Sequence, residues 1–217
     1  AKRGYTGTEQ VFEGKEGFME VLLGWDSSRQ CEIEVKVPDR NGNLPIKSWS
    51  YNISAITDIQ NIKDYRINSC SMKAFPTEAL THTHISAALK LVTENDINYR
   101  DIESVTVTTI ARACDILFDP HKYNPQSRET ADHSLPFCLA SALIDQKITT
   151  ESFSEENISR PEIRQVMNKI KGEASVEFEM LFPEKQPSRI TIKTVDGKVF
   201  SQYLEYPKGD PREPMTE

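Results

Sequence analysis

Apolar positions recur along this chain at two spacings, and the spacings divide it into helices and strands. Ile85, Ala88, Leu89 and Val92 fall on one face at helical spacing. The pattern follows Pro76, with Thr77 or Thr81 as a candidate cap, and fades at Glu94, Asn95 and Asp96. A second stripe, Ile163, Val166, Met167 and Ile170, starts at Arg160-Pro161 with proline inside the first turn and stops at Gly172. Residues 130–145 read as a helix, with Pro136 in its first turns or kinking it. Residues 149–153 read as a capped turn.

Period two governs other stretches. Val105 and Val107 alternate with threonines in residues 102–110, which predicts a strand. Residues 175–181 read the same way. Residues 189–195 and 198–206 are two strands joined at Asp196-Gly197, the strongest hairpin signal in the chain. Residues 31–37 and 47–54 predict a second hairpin around Asn41-Gly42. Residues 65–75 read as extended, and residues 119–128 as a loop with two prolines. Near the start, Thr6 or Thr8 can cap a short helix that Gly14 and Gly17 break. From residue 65 to 206 the order is helix, strand, helix, helix, then a strand and a hairpin. That predicts an α+β fold, a small mainly antiparallel sheet with packed helices.

Composition narrows the class. The chain has 217 residues, enough to bury a real core, with 37% hydrophobic and 27% charged residues. Its net charge of −7 argues against a nucleic-acid partner, which calls for a basic face. Any site for a polyanionic acid must then be a local basic pocket. Cys31, Cys70, Cys114 and Cys138 lie far apart with no metal-ligand spacing, so no metal is expected and free buried thiols are the better reading. No apolar run reaches membrane length and no signal peptide is visible. The first residue is Ala1, which suggests a fragment or one partner of a split protein.

Two polar stretches concentrate the chemistry. Residues 71–89 carry Lys73, Glu78, His82 and His84; residues 119–142 carry His121, Tyr123, Arg128 and His133. Both read as a polar loop feeding a helix, and cations gathered at helix entrances suit an anionic ligand. A lone loop lysine is usually just solvated. His82 and His84, two apart, point to different helical faces and make poor joint metal ligands. Glu78 suits an early helical turn better than a general base. Arg128 can grip a carboxylate or pair with Glu129 or Asp132. His133 can serve as acid or base, or hydrogen-bond its own loop. Tyr123 can donate its phenol or pack. GxSxG, GxGxxG and phosphate loops are absent, which removes the hydrolase and nucleotide readings.

The phrases AKRGYTGTEQVFEGKEGF, MKAFPTEALTHT, SRETADHSLPF and YPKGDPREP occur in that order along the chain. Together they resemble the MmgE/PrpD family, and within it the 2-methylcitrate dehydratases. The resemblance covers only the C-terminal half of the family's pattern. It implies that residues 1–62 end a helical domain and hold a variable insertion at 26–62. Residues 63–208 would be the smaller α+β domain, and 209–217 a tail returning to the helical one. It implies a lyase that removes water from 2-methylcitrate in propionate breakdown, with no iron–sulfur cluster or other cofactor. Lys73, His133 and Tyr123 would be catalytic, and Arg128, His82 and His84 would bind substrate. Partners implied are a small tricarboxylate and the absent helical half; a homodimer is expected. The compartment would be the cytoplasm, or the mitochondrial matrix in a eukaryote. A cis-aconitate decarboxylase shares the fold and is the nearest competitor, with a dicarboxylate racemase weaker. A non-catalytic anion-binding module or subunit, needing a helical cover over Phe12, Phe18, Leu22, Leu23 and Trp25, is the reading of a different class.

Overall fold

A computed structural model describes residues 35–36, 46–47 and 70–215. The chain divides into two compact units, residues 1–38 with 43–65, and residues 39–42 with 66–217. In the first, β1 (Val35–Lys36) pairs antiparallel with β2 (Ile46–Lys47), Val35 opposite Lys47. This is a two-residue ladder at the inner ends of the expected 31–37 and 47–54 hairpin. The expectations for Thr6, Thr8, Gly14, Gly17 and residues 65–69 lie outside the described residues.

The second unit begins with a 3-10 turn, Ala79–Thr81, that runs into α1 (His82–Asn95). Neither threonine caps α1 through its side chain; instead the Glu78 carboxylate accepts from the Leu80 N–H at 2.7 Å. Asp96, at φ +49°, ends α1 in the left-handed region. β3 (Ile102–Thr109) follows, then α2 (Ala111–Leu117) and a 3-10 turn at Pro120–Tyr123.

The expected helix over 130–145 is two helices, α3 (Arg128–Ala131) and α4 (Leu135–Asp145). Ser127 caps the first in a capping box with Thr130, and Ser134 caps the second. Pro136 therefore sits in the first turn of α4 and kinks nothing. A capping box from Thr149 to Ser152 starts the turn at Thr150–Phe153, before α5 (Glu155–Ser159) and α6 (Pro161–Met167).

Two expectations fail after α6. Ile170 and Gly172 do not continue and close that helix; they lie in β4 (Ile170–Ala174). Residues 176–181 are not a strand but α7 (Val176–Leu181), capped by Ser175, whose hydroxyl accepts from the Phe178 N–H at 3.4 Å. β5 (Ser188–Thr194) and β6 (Val199–Leu204) form the expected hairpin, with Gly197 at φ +83° in its turn.

The sheet order is β4-β3-β5-β6. β3 runs antiparallel to β5 and parallel to β4, and β5 antiparallel to β6, so the α+β, mainly antiparallel reading holds. Ile102, Val105 and Val107 of β3 and Ile190 and Ile192 of β5 are buried. They pack with Ile85 and Leu91 of α1 and Phe137 and Leu139 of α4 into one core. Among the described residues no helix is long and apolar enough to cross a membrane.

Candidate functional site

The two polar stretches meet. The Glu78 backbone N–H donates to the Asp132 carbonyl at 3.1 Å, which ties the entrance of α1 to the entrance of α4. The far ends of both helices also come together: Asp96 and Tyr99 line one cavity of about 320 Å³ with Leu143 and Gln146. So α1 and α4 run side by side in the same sense. Their positive dipole ends converge where Glu78 meets Asp132.

Lys73 is exposed at this rim, and its ammonium donates to the Thr77 carbonyl at 2.8 Å. That bond turns the side chain toward the α1 entrance. His82 lies beneath, 3% exposed, its ring 5.4 Å from that of Phe75. Burial pulls its imidazole below the usual histidine range; a backbone acceptor at Thr77 opposes this, and the Lys73 ammonium adds to the lowering. Its Nε2 has no hydrogen-bond partner among the described residues.

His133 is exposed, and its Nδ1 hydrogen-bonds the Asp132 carboxylate. That leaves Nε2 as the nitrogen free to exchange a proton with a ligand. Arg128 is exposed at the first turn of α3, and its carbonyl accepts from the Asp132 N–H at 2.9 Å. It makes no ion pair with Glu129 or Asp132 among the described residues. Lys73, held by the Thr77 carbonyl, and Arg128 and His133, each bonded to Asp132, thus flank the Glu78–Asp132 contact on one solvent-facing rim. Glu78 caps the turn that leads into α1, and Ser127 caps α3.

His84 and Tyr123 are engaged with partners of their own. His84 is 3% exposed and its Nε2 lies 2.7 Å from Thr109 Oγ1, inside the core. Burial brings its imidazole down to about 4, with a backbone acceptor at Leu80 acting weakly the other way. The Tyr123 hydroxyl donates to the Ile170 carbonyl at 2.9 Å, tying the loop after α2 to β4. Burial raises its phenol above the usual range, and the nearby Cys114 adds to this. Cys138 is fully buried beside Asp132, and burial pushes its thiol up, which makes it inert as a nucleophile. Among the described residues no three His, Cys, Asp or Glu side chains gather as a metal site requires.

The sequence pattern assigns Asp132 no chemical role beyond pairing with Arg128. Its place directly before His133 was the available signal. The 320 Å³ cavity lies at the opposite ends of α1 and α4 from Lys73, Arg128 and His133, which are all exposed.

The sequence pattern of the MmgE/PrpD C-terminal domain matches residues 75–217. The chain is 28% identical to a cis-aconitate decarboxylase of Mus musculus over 157 residues, 68% of this chain and 30% of that protein. It is 29% identical to the Homo sapiens cis-aconitate decarboxylase over 97 residues, 43% of this chain and 19% of that protein. The chain therefore spans less than a third of the length of these relatives.

Proposed function

This chain belongs to the MmgE/PrpD family, and from that premise we propose that it supplies the carboxylate-binding side of a lyase site acting on 2-methylcitrate. The reaction is loss of water. A base takes the proton from the carbon next to a carboxylate, the electron pair forms the alkene, and the hydroxyl leaves as water after accepting a proton. Lys73 and Arg128 hold carboxylates and stabilise the charge that builds as the proton leaves. His133, oriented by Asp132, moves a proton through Nε2. His82, packed with Phe75, forms the floor under Lys73.

The Glu78–Asp132 bond carries this reading. It brings a lysine, an arginine and an Asp-oriented histidine to one rim, over converging positive helix ends, in a chain of net charge −7. Lys73, Arg128 and His133 are exposed, so a second body, a helical complement on this or another chain, would cover them and exclude water.

A second reading is decarboxylation of cis-aconitate. The named relatives favour it, and the same cations would hold the remaining carboxylates while carbon dioxide leaves. The experiment gives the protein, with its helical complement, 2-methylcitrate and cis-aconitate in turn. Ultraviolet absorbance follows the conjugated alkene, and released carbon dioxide is trapped. Alkene from 2-methylcitrate without carbon dioxide supports the dehydratase. Carbon dioxide from cis-aconitate alone replaces it with the decarboxylase, and neither product overturns both.

A further inference from the structure

The phrase YPKGDPREP near the end of the chain has no part in the site so far. It folds into a tight turn over residues 207–213. The Asp210 N–H donates to the Pro207 carbonyl at 3.0 Å, the Gly209 N–H to Glu213 at 2.8 Å, and the Glu213 N–H back to Asp210 at 2.9 Å.

This turn grips the residues directly ahead of Lys73. The Met72 N–H donates to the Gly209 carbonyl at 2.8 Å. Gly209 has φ +93°, and a Cβ there would stand 2.0 Å from the Met72 carbonyl oxygen. Only glycine permits that approach. The Ser71 hydroxyl donates to the Asp210 carboxylate at 3.3 Å. Asp210 is 5% exposed and is held by Arg212 through two charge-assisted bonds, Nε at 2.8 Å and a terminal nitrogen at 3.0 Å. The other terminal nitrogen of Arg212 donates to the Glu184 carbonyl at 2.8 Å, and the guanidinium lies 4.0 Å over the Tyr206 ring. Asp210 is thus fixed by Arg212, which is itself fixed to the body of the domain.

We infer that this C-terminal clip is a positioning device for Lys73. It pins the Ser71 hydroxyl and the Met72 backbone on one side, while the Thr77 carbonyl holds the ammonium on the other. Without the clip, the exposed segment 71–73 has little else among these bonds to fix it. The clip rests on the proposed role of Lys73 for its catalytic meaning, but not for its geometry. Asp210 and Arg212 act through Lys73 and touch no substrate.

The test compares the unaltered protein, Asp210→Asn, Lys73→Ala and the double variant, each with its helical complement. Asp210→Asn keeps the size but turns one amide N–H toward the guanidinium. Two readouts are taken: the acetylation rate of Lys73 relative to exposed Lys198 by mass spectrometry, and the Kd for tricarballylate by calorimetry. We expect Asp210→Asn to change relative Lys73 labelling about threefold or more and to weaken tricarballylate about fivefold. Lys73→Ala weakens it about tenfold, and the double variant no further, because one group acts through the other. Unchanged labelling overturns the clip. So does a double variant in which the two losses multiply. Changed labelling with Lys73→Ala binding tricarballylate normally keeps the clip and removes Lys73 from the carboxylate site. If Asp210→Asn does not fold, Ser71→Ala removes one bond to the same carboxylate and must shift both readouts in the same direction.

Discussion

His84 makes the stability of this domain depend on pH in a way that one substitution can isolate. The imidazole is buried at the start of α1 against Thr109, and burial lowers it from 6.5 to about 4. The unfolded chain takes up that proton near 6.5, the folded one only near 4. The unfolded state therefore binds more protons throughout this window, and stability falls as pH falls through it. The contribution is fully present above pH 6.5 and lost as pH drops through 4. The displacement corresponds to ~3 kcal/mol. That is a large share of the 5–15 kcal/mol that typically holds a domain together. The assay is urea unfolding at several pH values between 7 and 4.5, for the unaltered protein and His84→Gln. The glutamine amide can still hydrogen-bond Thr109 in either direction, so at pH 7 the variant loses about 1 kcal/mol from poorer packing. Between pH 6.5 and 4.5 it should lose stability less steeply than the unaltered protein, by close to one proton. His82, lowered by burial as well, and the carboxylates held by Arg212, Arg160 and Lys185 titrate in both proteins and cancel in the comparison. Identical pH slopes for the two proteins would refute the reasoning.

Two further substitutions probe how the site is supported. Gly172→Ala puts a methyl 2.6 Å from the Phe118 ring, which must shift; the expected cost is ~1–3 kcal/mol, read as a lower Tm, and an unchanged Tm would show that the ring yields freely. Tyr123→Phe removes the bond to Ile170 and should cost ~1 kcal/mol in urea unfolding while leaving kcat/KM for 2-methylcitrate within about twofold; a hundredfold loss would show that Tyr123 takes part in the reaction.

Much of the fold is written locally. β3 and the β5–β6 hairpin follow from alternation and from Asp196-Gly197, because a strand half-buried on one face has to alternate. The failures have physical causes. Ile170 continues the spacing of Ile163, Val166 and Met167, yet the chain leaves α6 at Met167 and buries Ile170 in the sheet instead. Gly172 imitates a helix stop, but its room is filled by Phe118. Val176, Phe178 and Met180 alternate as a strand would, and the Ser175 cap with Glu177 in the first turn outweighs that pattern. α2 carried no cap of its own. The Ala111 N–H is met by the Glu179 carboxylate at 3.0 Å from 68 residues away, which no local reading detects. The site divides likewise. Lys73, Arg128 and His133 were legible as chemistry next to helix entrances. Their common rim depends on the backbone bond from Glu78 to Asp132, and the burial of His84 and the engagement of Tyr123 depend on tertiary partners at Thr109 and Ile170.

The proposed site stands most directly on Lys73. The measurement is kcat/KM for 2-methylcitrate dehydration, followed by alkene absorbance, for the unaltered protein and Lys73→Ala, each with its helical complement and each shown to be folded. Losing a cation that stabilises developing charge should lower kcat/KM about a hundredfold, with Lys73→Arg recovering part of it. Equal kcat/KM for Lys73→Ala and the unaltered protein would contradict the site proposed for this rim.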